Sequence, residues 1–400
     1  HRARGALVLT EVALAITIAV AAGLVGRSWL TLLSTSPGFP VANKVTFVLS
    51  LPQGRYPDRP SRWGFYRETM DRLREVPGVV SAGAISALPL GDESGDWGFR
   101  IEGRPPATDG ERGPFADRLI ATAGYFEAMG VPIKEGRSFE ATDDTLRPPA
   151  VILSEALARR YWPNGGALHS RIRLSSDIDS VWRTVVGIAG DVRSRGLERE
   201  PRPEFYFPHA QTPSSPNANA TGTMAVVLRL DRDPTAVIRE ARAVLGRIDP
   251  GVPISRIQTM ERVLDTTLSV RRFQLLLLGF FALTALGLVA IGVYGVVAFL
   301  VHQRSREFGV RLALGADRDR ILRMVLGDGI RMAAAGVAAG LIGAIVGGRL
   351  LSGMLYRARA FDPLVLGGVA LLVVVVVVAA SLGPAARAAR TSPSTTLRTD

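Results

Sequence analysis

The chain has no cysteine, which excludes disulfides and thiolate metal sites and says nothing of the compartment. Lysine is almost absent: Lys44 and Lys134 are the only two. Neither sits in a Gly-x-x-x-x-Gly-Lys-[Ser/Thr] loop, so no P-loop for ATP is present. Four histidines, His1, His169, His209 and His302, are too scattered to suggest a zinc cluster. A Gly-x-Ser-x-Gly nucleophile elbow is also missing. Asp143-Asp144 and Asp177/Asp179 are the available acid pairs. Lying in loop-like stretches, they read as solvated turn residues rather than calcium ligands. Asn219-Ala220-Thr221 fits a glycosylation sequon, a pattern short enough to arise by chance. The expectation is a protein without catalytic residues, metal or cofactor.

What remains is apolar and arginine-rich. Of 400 residues, 47% are hydrophobic and 21% charged, with a net charge of +12, as suits a membrane protein carrying a soluble part. The arginines flank apolar runs or scatter through mixed-charge stretches. Lipid and topology therefore explain them better than nucleic acid, which is not expected as a partner. The chain begins at His1 without a methionine, which reads as a fragment.

Four runs have the character of membrane spans. Ala6 to Val25 follows Arg2 and Arg4, which puts the N-terminus inside, and Arg27 and Trp29 continue it as an anchored stalk. Glu11 within that run is costly unless it faces protein or water, although its place near the inner end permits snorkelling. Leu275 to Val301 follows Arg271-Arg272 and is punctuated by Gly279, Gly287, Gly292 and Gly295. A third run climbs from Ile321 with its apolar core from Met332 to about Val346. It carries the pairs Gly336/Gly340 and Gly343/Gly347, whose small-xxx-small spacing suits tight helix packing. Asp328 and Arg331 could pair where it enters the membrane, and Arg349 near its outer end can snorkel. After a short outer turn, Tyr356 to Asp362, the fourth run is Leu364 to Leu382. Its valines would favour a strand in water, but in lipid a helix satisfies every backbone group. Arg387, Arg390 and Arg398 return the tail to the inside.

Ser34 to about Thr267 is soluble in character, and two of its segments echo each other. Val45–Leu51, Arg62–Arg74 and Val79–Leu88 read as strand, helix and strand. Met224–Leu230, Thr235–Ile248 and Pro253–Met260 repeat the order, with Asp233-Pro234 as cap and first turn of the later helix. Two such units pair into a ferredoxin-like α+β layer. Gly91 to Pro208 would be an inserted strand-rich subdomain, with strands such as Ala150–Leu153 and Thr184–Ile188. Gln211 to Gly222 reads as a flexible linker. The expected fold class is therefore an α-helical membrane protein with four transmembrane helices and a large α+β extracytoplasmic domain.

Between the second and third runs lies Gln303 to Ile321, dense in arginine. Glu307 and Arg311 are four apart in the favourable order for a helical ion pair. Phe308 and Leu312 share one face with Leu314 near it, while Arg304 and Arg311 fall on another. Gly315 is placed to end that helix and Asp317 to cap the next. Spacing leaves two readings open: a short amphipathic helix across the inner mouth, or a basic loop that only fixes topology.

Arg306-Glu307-Phe308-Gly309-Val310-Arg311-Leu312-Ala313-Leu314-Gly315-Ala316 resembles the coupling segment of FtsX-like ABC-transporter permeases of the MacB type. Pro384-Ala385-Ala386-Arg387-Ala388-Ala389-Arg390, with Pro393 and Leu397-Arg398, resembles the family's closing motif. Gly124-Tyr125-Phe126, Gly130-Val131-Pro132, Gly136-Arg137-Ser138-Phe139 and Val186–Val192 resemble its MacB-like periplasmic core. The resemblance covers nearly the whole chain. It implies a first span and stalk over 1–33, a periplasmic core over 34–270 and an FtsX-like permease domain over 271–400. In that last domain, spans near 275–301, 330–351 and 364–382 would enclose a coupling segment at 303–320. ATPase coupling would fall to Arg304, Arg306, Glu307, Phe308, Gly309, Arg311, Leu312, Leu314 and Gly315, and helix packing to Gly336, Gly340, Gly343 and Gly347. Implied partners are a cytoplasmic ABC ATPase, a second permease half or a second copy, membrane lipid and a periplasmic adaptor. The implied location is the bacterial inner membrane. Export of drugs, peptides or lipoproteins is the leading function, and regulation of cell-wall hydrolases the alternative. The missing methionine would suit the C-terminal half of a tandem permease.

Overall fold

Six of the seven residues in Lys44–Ser50 (β1) are buried, so this strand is covered on both faces rather than alternating between core and water. The computed structural model describes residues 2–92, 94–105, 113–175, 181–212, 221–304, 318–351 and 362–389, together with Glu307 and Arg311. They fall into two units, one of Thr35–Ser269 and one of His1–Ser34 with Val270–Asp400.

In the first unit β1 leads through α2 (Arg59–Arg74) to β2 (Val79–Ile85). Asp58 starts α2 by accepting from Ser61 N at 2.9 Å, with Pro60 in the first turn. Near the other end of the unit, β10 (Thr223–Leu230), α5 (Pro234–Ile248) and β11 (Ile254–Thr259) repeat the pattern. Asp233 caps α5 through Thr235 N at 2.7 Å, as Asp233-Pro234 predicts. The four strands lie in the order β11-β1-β10-β2, every neighbouring pair antiparallel. Phe65, Met70 and Leu73 of α2 and Val237, Ala241 and Leu245 of α5 form one core with Phe47, Leu49, Val226 and Leu228.

The stretch between β2 and β10 is not a separate layer, as the sequence reading expected. Its strands are β3 (Asp96–Ile101), β4 (Phe115–Ala121), β5 (Ile133–Gly136), β6 (Ala150–Ser154), β7 (Arg171–Leu174), β8 (Arg183–Ala189) and β9 (Glu204–Pro208). They continue the same 11-stranded sheet through one residue pair, Ile85↔Ala121. The path β4-β3-β7-β8-β6-β9 then returns to β4 by a parallel β4–β9 ladder, closing a ring of six strands. Closure removes two exposed edges. Phe99, Val151, Leu153, Leu174, Phe205 and Phe207 fill the ring. The two short helices here are α3 (Tyr125–Met129) and α4 (Glu155–Tyr161). Ser154 caps α4 through Leu157 N and also accepts from Glu204 N at 2.9 Å. Gly83 is required where β2 meets α3, because a β-carbon there would run into the Tyr125 backbone.

Two loop readings need correction. Asp143 is buried, not solvated: Arg137 donates to both its oxygens at 2.7 and 2.8 Å and Glu140 N adds a third bond. Burial alone would raise this carboxyl, but these donors hold it below its ordinary range. The linker expected from Gln211 begins with buried, tightly held residues. Gln211 accepts from Ala150 N and donates to Asp144 O, each at 2.8 Å, and Thr212 is buried beside it. Asp177, Asp179 and the sequon asparagine lie outside the described residues.

The second unit is helical: α1 (Arg2–Leu33), most of α6 (Met260–Gln303), α7 (Arg318–Leu351) and α8 (Pro363–Ala389). Three stretches are long and apolar enough to cross a membrane, Leu9–Leu33, Met260–Gln303 and Pro363–Ala388, while Ala334–Val346 in α7 is shorter. The helix α6 begins well ahead of the expected Leu275 and takes in Arg271-Arg272, and the boundary between units falls within it. Ile16, Val20 and Leu24 of α1, Val289, Val293 and Val297 of α6, and Val373 and Val377 of α8 share one core. The start of the closing motif, Pro384 to Ala389, is helical and belongs to α8.

Candidate coupling segment and its helices

The coupling segment begins where α6 ends, at Gln303, with Arg304 N still donating to Leu300 O at 3.1 Å. Beyond it Glu307 and Arg311 form the ion pair their spacing predicts, Oε1 to Nη2 at 2.6 Å, with both side chains roughly half exposed. Arg311 Nη1 also lies 3.2 Å from Met324 Sδ of α7. Arg311 is thus bracketed by a carboxylate on its own segment and a polarizable sulfur on the next helix. Arg306, Phe308, Gly309, Leu312, Leu314 and Gly315 lie outside the described residues, as does Asp317.

Behind this segment, α7 lies against α1 along a face of glycines. A β-carbon on Gly336 would stand 2.5 Å from Val12 Cγ1, and one on Gly340 2.7 Å from Ile16 Cβ. On Gly343 it would stand 3.0 Å from Thr17 Oγ1. Thr17 donates to Ala13 O at 2.9 Å and lies 3.4 Å from Gly340 O, so its hydroxyl serves both helices. Gly347 lies in α7 further along. The glycines of α6 differ from expectation. Gly279, Gly287 and Gly295 face nothing within 4 Å, and only Gly292 marks a close approach, with Glu11 beside it. Glu11 is therefore half-buried against α6 rather than turned fully to water.

One polar contact escaped the sequence reading. Arg27 Nη1 of α1 donates to Asp362 Oδ1 at 2.7 Å. Asp362 also accepts from Leu364 N at 3.1 Å, capping α8. The signal was available, since Asp362-Pro363 is the same cap-and-proline pair as Asp233-Pro234. Among the described residues no group of histidine, aspartate and glutamate is arranged to hold a metal. The Asp328–Arg331 pair and the Arg349 side chain lie outside what is described.

Residues 8–244 match the MacB-like periplasmic core domain and residues 279–393 the FtsX-like permease C-terminal domain. The macrolide export ATP-binding/permease protein MacB of Chromobacterium violaceum is 26% identical over 217 residues, 54% of this chain and 33% of that protein. An uncharacterized ABC transporter permease, YvrN of Bacillus subtilis, is 26% identical over 234 residues, covering 56% of this chain and 54% of that one. The crystal structure of the periplasmic region of MacB from Actinobacillus actinomycetemcomitans aligns with 59% of the chain at 15% identity and a TM-score of 0.38. The chain spans about a third to about a half of the length of these curated relatives. With more than half its residues in one family domain and the C-terminal helices in the other, the chain belongs to the MacB-type family of ABC transporter permeases.

Proposed function

We propose that the chain is the permease subunit of an ABC exporter in the bacterial inner membrane. A separate ATPase would supply the nucleotide chemistry for which this sequence has no P-loop. On this reading the ATPase docks on 303–320 and, on closing around ATP, pushes that segment. The helices tilt, and the periplasmic core changes shape to expel its cargo. A ligand shifts such an equilibrium only by binding the two states unequally, so the ATP-closed partner must favour one arrangement of the helices. The observation that carries the proposal is the Glu307–Arg311 pair, held between the end of α6 and Met324 of α7. It stiffens a segment to which the resemblance assigns the ATPase contact. The related proteins named for macrolide and pyoverdine export support outward transport over regulation.

Two structural readings go with it. Ala334–Val346 lies in a helix of 34 residues, and we infer that α7 is the fourth span, with both chain ends inside. The order β11-β1-β10-β2 with two crossover helices supports reading that layer as ferredoxin-like. A second copy, or another permease half, would complete the channel, and an adaptor could meet the core outside.

The test uses the chain reconstituted with its cognate ATPase. Phe308→Ala/Leu312→Ala should weaken pull-down of the ATPase and uncouple ATP turnover from export, since buried interface anchors cost about 2 kcal/mol or more on truncation. Wild-type association and coupled turnover in that variant would reduce 303–320 to a topology signal.

A further inference from the structure

Three carboxylic acids stand in register across three neighbouring strands where the ring closes. Asp96 of β3 lies opposite Asp117 of β4, and Asp117 lies opposite Glu204 of β9. Asp117 and Glu204 are fully buried, while Asp96 reaches the surface. Two guanidinium groups face the row from the segment between β8 and β9. Arg195 donates to Asp117 Oδ1 at 3.1 Å and to Ser94 O at 2.7 Å. Arg202 pairs with Asp96 and lies 3.4 Å from Asp117 Oδ2.

Both arginines serve Asp96 and Asp117, so three acids meet two cations and Glu204 is left without one. Its oxygens accept only from hydroxyls: Ser194 Oγ on Oε1 and Tyr206 Oη on Oε2, each at 2.5 Å. The other titratable groups facing it make ionisation worse or leave it unchanged. Asp191, on the segment carrying Ser194, is already paired with Arg159 of α4, and Tyr125 of α3 is buried alongside. From β6, Ser154 Oγ is occupied by the Glu204 amide. A buried carboxylate without a cation is costly, and such a group keeps its proton instead.

We propose that the row Asp96–Asp117–Glu204 is a proton-operated latch on the β4–β9 seam, closed while Glu204 is neutral and loosened when it ionises. The neutral carboxyl donates its own proton to Ser194 Oγ and accepts from Tyr206. The ionised form must accept from both hydroxyls and sits one strand from Asp117. The segment held by the latch has a second attachment. Ser194 O accepts from Leu90 N at 2.9 Å, and Leu90 O accepts from Thr267 Oγ1 at 3.0 Å, in the first turns of α6. Leu90 holds this position with φ at 66°, a left-handed backbone that a branched side chain adopts only when its surroundings impose it. Opening the seam would release the Ser194 side of that link.

The sign is fixed by the direction of the shifts. Burial lifts Glu204 to about 7 and Asp117 to about 6, both above the ordinary carboxyl range. The stabilisation is then fully present below that ordinary range and is lost as pH rises through the folded-state values.

Hydrogen exchange of the full-length chain in detergent, corrected for intrinsic rates, tests the latch. The seam amides of β4 and β9 should open on the order of tenfold more between about pH 5.5 and about pH 8, while α2 amides stay constant. Glu204→Gln, which cannot ionise, should hold the seam at its acidic level across the range. The same rise in Glu204→Gln, or a flat wild-type profile, overturns the latch. Should Glu204→Gln fail to fold, Asp117→Asn gives the second reading. Removing the neighbouring charge should move the opening midpoint to higher pH, because Glu204 then keeps its proton less because of Asp117 and more because of burial alone only if the arginines are freed to reach it; a midpoint displaced in neither direction overturns the proposal.

Discussion

In the β-rich unit, Thr35–Ser269, loops and strand ends are tied by buried polar side chains: Asp143 under Arg137, Gln211 under three loop carbonyls, Glu204 between two hydroxyls. In the helical unit the close contacts are instead apolar, with Gly336 and Gly340 laid against Val12 and Ile16. The difference follows from the backbone. A helix satisfies its own amides and carbonyls, so two helices approach best where side chains are smallest. A sheet with long crossings leaves loop carbonyls that need side-chain donors. Polar contacts in the helical unit are accordingly few and sit at helix ends or against a glycine, as with Arg27–Asp362 and Glu11 beside Gly292.

The strongest test of this contrast is Gly83→Ala in the β-rich unit. Its new methyl meets the Tyr125 backbone, which cannot turn aside as a side chain can, so a loss of about 3 kcal/mol is expected. Chemical denaturation of the full chain, followed by tryptophan fluorescence, reads it; a loss no larger than at an open glycine such as Gly54 would refute it.

His209 comes next, buried with its Nε2 on Thr221 O at 3.3 Å and its Nδ1 without a partner. Burial drives its pKa down to about 4. The associated stability is present above the ordinary histidine value and is lost as pH falls through about 4. Relative to His209→Gln, the wild type should lose about 2 kcal/mol between pH 7 and pH 5. The difference between the two slopes is the readout, because Glu204 and Asp117 push the wild type and the variant alike in the other direction. Parallel slopes would place the titration elsewhere.

Within the helices, Gly340→Leu should cost about 2 kcal/mol by overpacking against Ile16. Gly287→Leu, with nothing near it among the described residues, should leave melting in detergent unchanged. Equal effects would show that helix propensity, not the contact, is being measured. The smallest expected effect is Glu307→Ala, about 0.3–0.5 kcal/mol for an exposed helical pair. Any such loss should vanish at high salt, and a salt-independent loss would mean that the pair is sheltered.

Much of the architecture was legible before the structure. The two strand–helix–strand units and the cap at Asp233 follow from periodicity and turn chemistry acting over a few residues. The Glu307–Arg311 pair was legible for the same reason, being a contact within one helical turn. Less legible was which glycines matter. Those of α6 and α7 look alike in sequence, yet only a neighbouring helix makes Gly340 a contact and leaves Gly287 open. The acid row was invisible, because Asp96, Asp117 and Glu204 are far apart along the chain and ordinary in their local context.

The sequence by itself determined the apolar runs, the arginine asymmetry and the local elements, because each depends on the solvent preference or backbone geometry of neighbouring residues. Tertiary structure alone decided that the inserted strands close into a ring through β4 and β9, that Arg27 finds Asp362, and that Glu204 is buried without a cation. Each of these depends on strand register or helix packing between distant segments, and a local pattern carries no information about which distant partner a residue will meet.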